Sequence, residues 1–335
     1  MSTVATDDEV TGFLDRAILG DRSGAVRRVL DLVDAGVPAA SIIQDVLTPA
    51  QHEVGERWQR REWSTADEHL VTGVTHAALE ALSTTLPVDT QGLVLTVCAE
   101  GDWHGLPTQL FAESLRTRGQ GVVFLGASVP ADDVATSIDR HRPDAVTLTC
   151  NLATAYLGAS RVIDAAHGRG TPVIAGGRAL TAARSRRLGA DAWAPDVDAA
   201  LAVLTDWRRR PPVVEPQPVR LDPRALDLVL QAEPVAAAAF ATLTTTYPSL
   251  ADYDASQREH THRDLVHIVE FLAAARLVDD DVVFEEFLAW LTGVLTARGV
   301  PVEALTAGLA ALAPLVRDID SGAHRLVTAA TSTVS

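Results

Sequence analysis

Val97-Cys98-Ala99-Glu100-Gly101-Asp102-Trp103-His104-Gly105-Leu106-Pro107-Thr108-Gln109 is the stretch on which the reading of this chain turns. Leading into it, Leu93 to Val97 is an unbroken run of strand-forming residues. Beyond it, Thr108 to Arg118 carries apolar residues at helical spacing. An Asp-x-His on a strand-to-helix turn can serve as a metal ligand with its support built in. One imidazole nitrogen faces the metal, and the carboxylate two residues away takes the proton of the other, fixing the tautomer and raising ligand basicity.

Alone, an Asp-x-His is more often a surface pair than a ligand, and its weight here comes from the neighbouring segments. Gly121–Gly126, Asp144–Thr149 and Pro172–Gly177 read as three further strands with helical segments between them. Strand and helix alternate at the spacing of a doubly wound, flavodoxin-like parallel sheet, whose ligands collect at the carboxyl ends of the strands. Asp102, His104, Thr149 and Gly176-Gly177 all fall at such ends.

In these residues the chain resembles the cobalamin-binding domains. Their signature, Asp-x-His-x-x-Gly, Ser-x-Leu and Gly-Gly, stands here as Asp102-x-His104-x-x-Pro107, Thr149-Cys150-Asn151 and Gly176-Gly177. The resemblance implies that His104 is the lower axial ligand of cobalt. The displaced nucleotide tail would then run down a groove beside the sheet, past Thr149 and the paired glycines. Pro107 and Asn151 depart from the usual glycine and aliphatic residue, which bears on the groove and not on the axial ligand. Trp103 and Gly105, on the same turn as His104, join the cofactor-facing set. Ser128 could bond a corrin amide or form an ST-turn.

From Val10 to Thr84 the chain reads as four helices, a cap over the upper face of a corrin. Apolar positions Phe13, Ile18, Val26, Val29, Leu30 and Val33 mark two amphipathic helices; a third spans Ser41 to Arg60. Ser64-Thr65-Ala66-Asp67 is a capping box opening the fourth. Gly55-Glu56-Arg57-Trp58, followed ten residues on by Glu68-His69, resembles the cap of the light-sensing cobalamin repressors of the CarH type. That resemblance implies Trp58 over an upper adenosyl group, with Glu68 and His69 holding it. Where those repressors carry a cobalt-capturing histidine after the tryptophan this chain has Gln59, a poor cobalt ligand.

Composition narrows the function classes. A length of 335 residues with 47% hydrophobic content allows two or three domains with ample core. The net charge of -16 argues against a nucleic-acid surface, as does the lack of room for a winged helix ahead of the first cap helix. All 28 basic residues are arginine, so neither a Schiff-base lysine nor a P-loop lysine exists. Cys98 and Cys150, in or beside predicted buried strands, fit a reduced cytoplasmic protein. Met1 to Val10 is acidic and polar rather than a signal peptide, and no apolar run approaches membrane length. His141 and His167 fall at helix ends, where a cation offsets the dipole.

Arg209 to Pro223, with Pro211-Pro212, Pro216 and Pro218, reads as an extended linker. Beyond it lie alanine-rich helices: around Ala236–Phe240, Asp264–Leu277, Val282–Arg298, and one from Val302 to Leu315 reaching past Ile319. The division expected is a helical cap (1–86), a cobalamin-binding domain (87–208), the linker (209–222) and an all-helical, globin-like domain (223–335). In the last, His260, Asp264, His267 and Phe271 recur along one helical stripe. With His262, Arg258 and Arg263 they could embrace an anionic tetrapyrrole, arginines meeting propionates. A solvated helix face is the plain alternative, and haem with a histidine axial ligand a variant. A cobalamin half joined to such a domain resembles the photocobilins, which pair cobalamin with biliverdin; with no cysteine here, a bilin would bind non-covalently.

The chain is therefore expected to be a light sensor and not an enzyme. It would carry adenosylcobalamin and biliverdin, dimerise, and signal to a downstream protein partner without contacting nucleic acid or membrane. Two alternatives stand beside this: a corrinoid carrier for methyl transfer, and a light-independent cobalamin-binding module whose helical domain mediates dimerisation.

Overall fold

A computed structural model describes residues 6–86, 90–214 and 220–334. Pro216, Pro218 and residues 1–5 of the acidic amino terminus lie outside the described residues. The chain divides into two compact units, Met1–Asn151 with Arg161–Gln217, and Leu152–Ser160 with Pro218–Ser335.

The first unit opens with α1 (Thr6–Ile18) and α2 (Arg22–Asp34). A helical rod follows, made of α3 (Ala39–Ile42), a π-turn (Ile43–Leu47) and α4 (Thr48–Gln59), and then α5 (Thr65–Ser83). The expected third helix is thus present but interrupted. Pro49 has no N–H to give to the carbonyl four residues back, and the Thr48 N–H reaches Ile43 instead. The capping box forms as read: Ser64 Oγ accepts from the Asp67 N–H, and Asp67 Oδ2 accepts from the Ser64 N–H at 2.8 Å. Phe13, Ile42, Leu47, Leu79 and Leu82 are buried in one core, on which Leu106 and Leu110 also pack. Leu106 and Leu110 come from the helix after the His104 turn, so cap and sheet share apolar contacts.

The sheet alternates with helices: β1 (Gln91–Cys98), α6 (Gly105–Arg116), β2 (Gln120–Phe124), α7 (Ala131–His141), β3 (Ala145–Thr149), α8 (Tyr156–His167), β4 (Val173–Gly176), α9 (Ala182–Arg187), β5 (Ala192–Trp193) and α10 (Val197–Arg209). Its five strands are parallel in the order β2-β1-β3-β4-β5, a doubly wound topology. Such strands are covered on both faces, which is why β3 is buried along its whole length and reads as continuous Val/Leu/Thr. The order reverses between β1 and β3, where Cys98 is in register with Thr149. A crevice opens at the carboxyl ends of strands flanking such a point.

The second unit contains α11 (Pro223–Leu230), α12 (Ala232–Thr246), α13 (Ala255–Val278), α14 (Val282–Ala297), α15 (Val302–Arg317) and α16 (Ser321–Val334). The helix expected to run past Ile319 ends at Arg317, and a new one begins at Ser321. Asp320 causes the break. Its buried carboxylate accepts from the N–H groups of Gly322 and Ala323, starting α16, and from Arg276 Nε of α13 at 2.9 Å. Burial pushes the Asp320 carboxyl up, and these bonds outweigh it, leaving it below its ordinary value.

A carboxyl lowered on folding stabilises the native state above its unfolded value near about 4. That contribution is lost as pH falls through the lowered folded value. Asp320→Ala strands the Arg276 cation and two N–H donors, and is expected to cost about 3 kcal/mol. Denaturant melts at neutral pH measure the loss. Repeated below about pH 4, they should show the gap from the parent protein narrowing.

Candidate functional site

The turn between β1 and α6 is built around a carboxylate that solvent does not reach. Gly101 takes φ +87°, where a side chain would be strained, and turns the chain so that the Asp102 N–H bonds Ala99 O at 2.9 Å. Asp102 is 0% exposed. Its Oδ1 accepts from the His104 backbone N–H at 3.0 Å and from His104 Nδ1 at 2.8 Å, while Oδ2 accepts from the Asn151 N–H at 2.6 Å. A carboxylate only accepts, so Nδ1 carries the proton and the lone pair belongs to Nε2. The His104 side chain is 54% exposed, which leaves that nitrogen accessible.

The electrostatics agree with the geometry. Burial pushes the Asp102 carboxyl up, but the donors from His104 and Asn151 outweigh it and hold it below the usual range. His104 moves the opposite way, raised by its bond to Asp102 against the effect of burial, with the Glu68 charge of α5 contributing as well. An imidazole oriented this way by a buried carboxylate is a preformed ligand for a transition metal.

The floor of the turn is a thiol. Cys98 Sγ donates to Asp102 O at 3.3 Å, and burial with the nearby Asp102 charge pushes the thiol up to about 11. At that value it stays protonated and supports the loop without reacting. Ser128 closes the other side: its N–H donates to Asp102 O at 2.9 Å and its Oγ accepts from the Gly101 N–H at 3.0 Å. Among the described residues the hydroxyl forms neither an ST-turn nor any other local bond; it is engaged across the crevice with Gly101.

Beside the turn runs a groove of about 150 Å³ lined by Pro107, Phe111, Thr149, Asn151, Gly176 and Gly177, among others. Thr149 shares a hydroxyl hydrogen bond with Thr108. A Cβ at Gly176 would lie 2.7 Å from Ala194 O, and one at Gly177 2.5 Å from Cys150 O, so the paired glycines are a packing necessity. The groove is mostly apolar, with the Thr147 and Thr149 hydroxyls and the Asn151 amide among its polar groups, and Asn151 Nδ2 donates to His104 O at 3.4 Å. A slender aromatic tail continuing from a ring above His104 fits such a lining. Pro107, the departure from the usual glycine, forms part of its wall without closing it.

On the cap side, the Trp58 indole N–H donates to Thr65 Oγ1 at 3.2 Å, fixing the ring between α4 and α5. Glu68 Oε1 accepts from Thr72 Oγ1 at 3.0 Å, and Glu68 lies 3.3 Å from His69 Nε2. The same Thr72 hydroxyl is 3.3 Å from Gln51 Oε1, and Gln51 Nε2 donates to Thr75. The His69 side chain is 74% and Trp103 78% exposed, so both stand open to solvent. His76 Nδ1 meets Gln109 Oε1 at 2.6 Å, tying α5 to α6. Sequence reading named Asp102 and His104 but missed Asn151 and Ser128 as their support, and Gln51 and Thr72 as that of Glu68.

The six residues assigned to a second pigment are not gathered. His260, Asp264 and His267 share one face of α13, whereas Arg258 and His262 lie on the opposite face, by the 3.6-residue turn. Arg258 donates to the carbonyls of Leu250 and Tyr253, Arg263 pairs with Glu259 at 2.8 Å, and His262 faces Glu233 and Phe240. Both arginines are engaged locally rather than converging on a shared site. Burial pushes the Asp264 carboxyl up and the His267 imidazole down, favouring the neutral form of each. His141 and His167 end α7 and α8 as read, and His167 also bonds Asp191 at 2.9 Å.

Among the described residues no single helix is long and apolar enough to cross a membrane.

Comparison with known proteins agrees with this geometry. Residues 92–204 match the model of a B12 binding domain, and residues 10–83 match a second model of the same description. The HTH-type transcriptional repressor CarH of Myxococcus xanthus is 33% identical over 157 residues, 46% of this chain and 52% of the repressor. The chain thus spans about half the length of that relative. Monomethylamine corrinoid protein 2 of Methanosarcina acetivorans is 26% identical over 167 residues, covering 48% of this chain and 77% of that protein. The structure of the monomethylamine corrinoid protein of Methanosarcina barkeri aligns with 60% of this chain and 100% of its own at a TM-score of 0.51 and 24% identity, a likeness of fold. A helical cap on a Rossmann-like parallel sheet, with a histidine presented at the reversal of strand order, makes the first unit a cobalamin-binding module.

Proposed function

We propose that the chain is a light sensor that holds adenosylcobalamin between cap and sheet, its own nucleotide base displaced and His104 beneath the cobalt. The observation that carries this reading is the Asp102-locked imidazole, whose side chain is half exposed with Nε2 left to bind a metal. Bound adenosylcobalamin supplies a cobalt–carbon bond that visible light breaks. The residues of the chain do the rest: Asp102 keeps the proton on Nδ1, Thr149 and the paired glycines line the tail, and Trp58, Glu68 and His69 enclose the upper group. Trp58 and Glu68, held by Thr65 and Thr72, are the cap residues whose surroundings would change on losing that group. The output passes to a protein partner or through a dimer, without DNA contact. In this reading the chain is a cytoplasmic sensor and not an enzyme.

A biliverdin in the helical unit, taken as globin-like, belongs to the same proposal in a narrower form. His260, Asp264 and His267 are its only convergent candidates among the residues assigned, with Phe271 stacked on Phe287 at 3.9 Å nearby in sequence. Arg258 and Arg263 do not fit as propionate ligands, and haem would draw on the same histidines. Co-expression with a haem oxygenase should add a red absorption band if the pigment binds; its absence removes this half alone.

The central test is absorption spectroscopy of the protein loaded with adenosylcobalamin in the dark. Illumination should change the spectrum, and Trp58→Ala should weaken retention of adenosylcobalamin more than of methylcobalamin. The second reading, a corrinoid carrier, is favoured by the coverage of the methylamine corrinoid proteins. It predicts methyl exchange in the dark with a methyltransferase; a sensor should show none.

A further inference from the structure

A chain of side-chain hydrogen bonds runs from α4 to α5 behind Glu68, and its protons do not match its acceptors. Thr75, which is 0% exposed, donates its hydroxyl proton to Val71 O at 3.0 Å. It can therefore only accept from Gln51, and the 2.7 Å contact between them decides how that amide is turned: Nε2 donates to Thr75 and Oε1 faces Thr72. Thr72 then lies between two acceptors, Glu68 Oε1 at 3.0 Å and Gln51 Oε1 at 3.3 Å. One hydroxyl carries one proton, so it serves only one of the two at a time. The nearer, charged oxygen takes it as the structure stands. The other Glu68 oxygen faces His69 Nε2 at 3.3 Å, on a side chain open to solvent, so Thr72 is the better-fixed of the two partners of this carboxylate.

A second acceptor beside a donor already in use matters when the first acceptor leaves. If Glu68 turns from Thr72 toward a donor above the corrin, the hydroxyl rotates to Gln51 Oε1 and stays paired, so the move costs little. Without Gln51 Oε1 the same move strands the hydroxyl between the helices. We propose that Gln51 and Thr72 determine specificity at the upper face: Thr72 withholds Glu68, Gln51 releases it, and together they set how strongly the chain prefers an upper axial group bearing hydroxyl or amino donors over one bearing none. Both act through Glu68, as positioning residues, and so the inference rests on the reading above that Glu68 holds the upper group.

The test is equilibrium binding of adenosylcobalamin and of methylcobalamin to the full chain in the dark, read by absorption. The ratio of the two dissociation constants is the readout, so a general loss of stability cancels. Gln51→Leu should lower the preference for adenosylcobalamin about tenfold, since the hydroxyl is stranded whenever Glu68 engages the ligand. Thr72→Val should raise it about three- to tenfold, since Glu68 then has no competing partner on its own helix. A shared packing defect would not move the ratio in opposite directions. Thr72→Ser keeps the hydroxyl and should match wild type, and in a Thr72→Val background Gln51→Leu should have no further effect on the ratio. Glu68→Ala tests the underlying reading: a ratio that it leaves unchanged would remove Glu68 from the upper face, and the proposal with it. If Glu68→Ala abolishes the preference while Gln51→Leu and Thr72→Val both lower it, or both leave it alone, Glu68 keeps its role and the proton switch is wrong.

Discussion

His104→Ala should cut cobalamin affinity by at least about 10- to 100-fold and move the spectrum of whatever binds, because the one nitrogen presented to the metal is gone. Titration with cobalamin, read by absorption, measures both. Two companion variants separate ligation from folding. Asp102→Ala leaves the His104 N–H, His104 Nδ1 and the Asn151 N–H without an acceptor in a site that water does not reach. It should lose a similar factor through a disordered imidazole, and lose stability as well. Asp102→Asn keeps an acceptor for Nδ1 but removes the charge, and should fall between. If His104→Ala bound cobalamin as the parent does, with the same spectrum, the axial assignment would be wrong.

Gly177→Ala should do comparable damage from the opposite direction. Gly177 sits at φ +100°, which costs an L-residue about 1–2 kcal/mol. The added Cβ would also lie 2.5 Å from Cys150 O and 2.8 Å from Cys150 N, backbone atoms that cannot swing aside. Cys150 is held by its bond to Gly176 O at 2.9 Å, so relief requires parting β3 from β4. The parting runs along the groove floor. Unfolding free energy should drop by more than about 2 kcal/mol, and tail-containing cobalamin should bind more weakly than cobinamide, which has no nucleotide tail, relative to wild type. Equal losses for both corrinoids would detach the groove from the tail.

How much of this was legible in the sequence depends on how local the cause is. Strands β1 to β4 were, because strands buried on both faces are written as continuous apolar runs; β5, two half-buried residues, carries no such run and was not read as a strand. So was the capping box, whose partners are three residues apart. The start of α6 was read at Thr108, after Pro107, whereas the helix begins at Gly105. A proline is tolerated in a first turn, where its missing N–H has no helical partner to lose. Asn151 could not be read as support for Asp102. The bond is made by its backbone, 49 residues away, and exists only because β1 and β3 are neighbours. On α13 the stripe of His260, Asp264 and His267 was legible from helical spacing, whereas the flanking Arg258 lies on the opposite side of the helix from His267 and donates to the Leu250 and Tyr253 carbonyls instead.

The bond between His76 and Gln109 gives the first unit a mechanical character. α5 carries Glu68 and His69 near its start and His76 two turns later; α6 starts immediately after His104 and carries Gln109 about one turn in. One short strut therefore joins the rod that carries Glu68 and His69 to the helix that starts at the His104 turn.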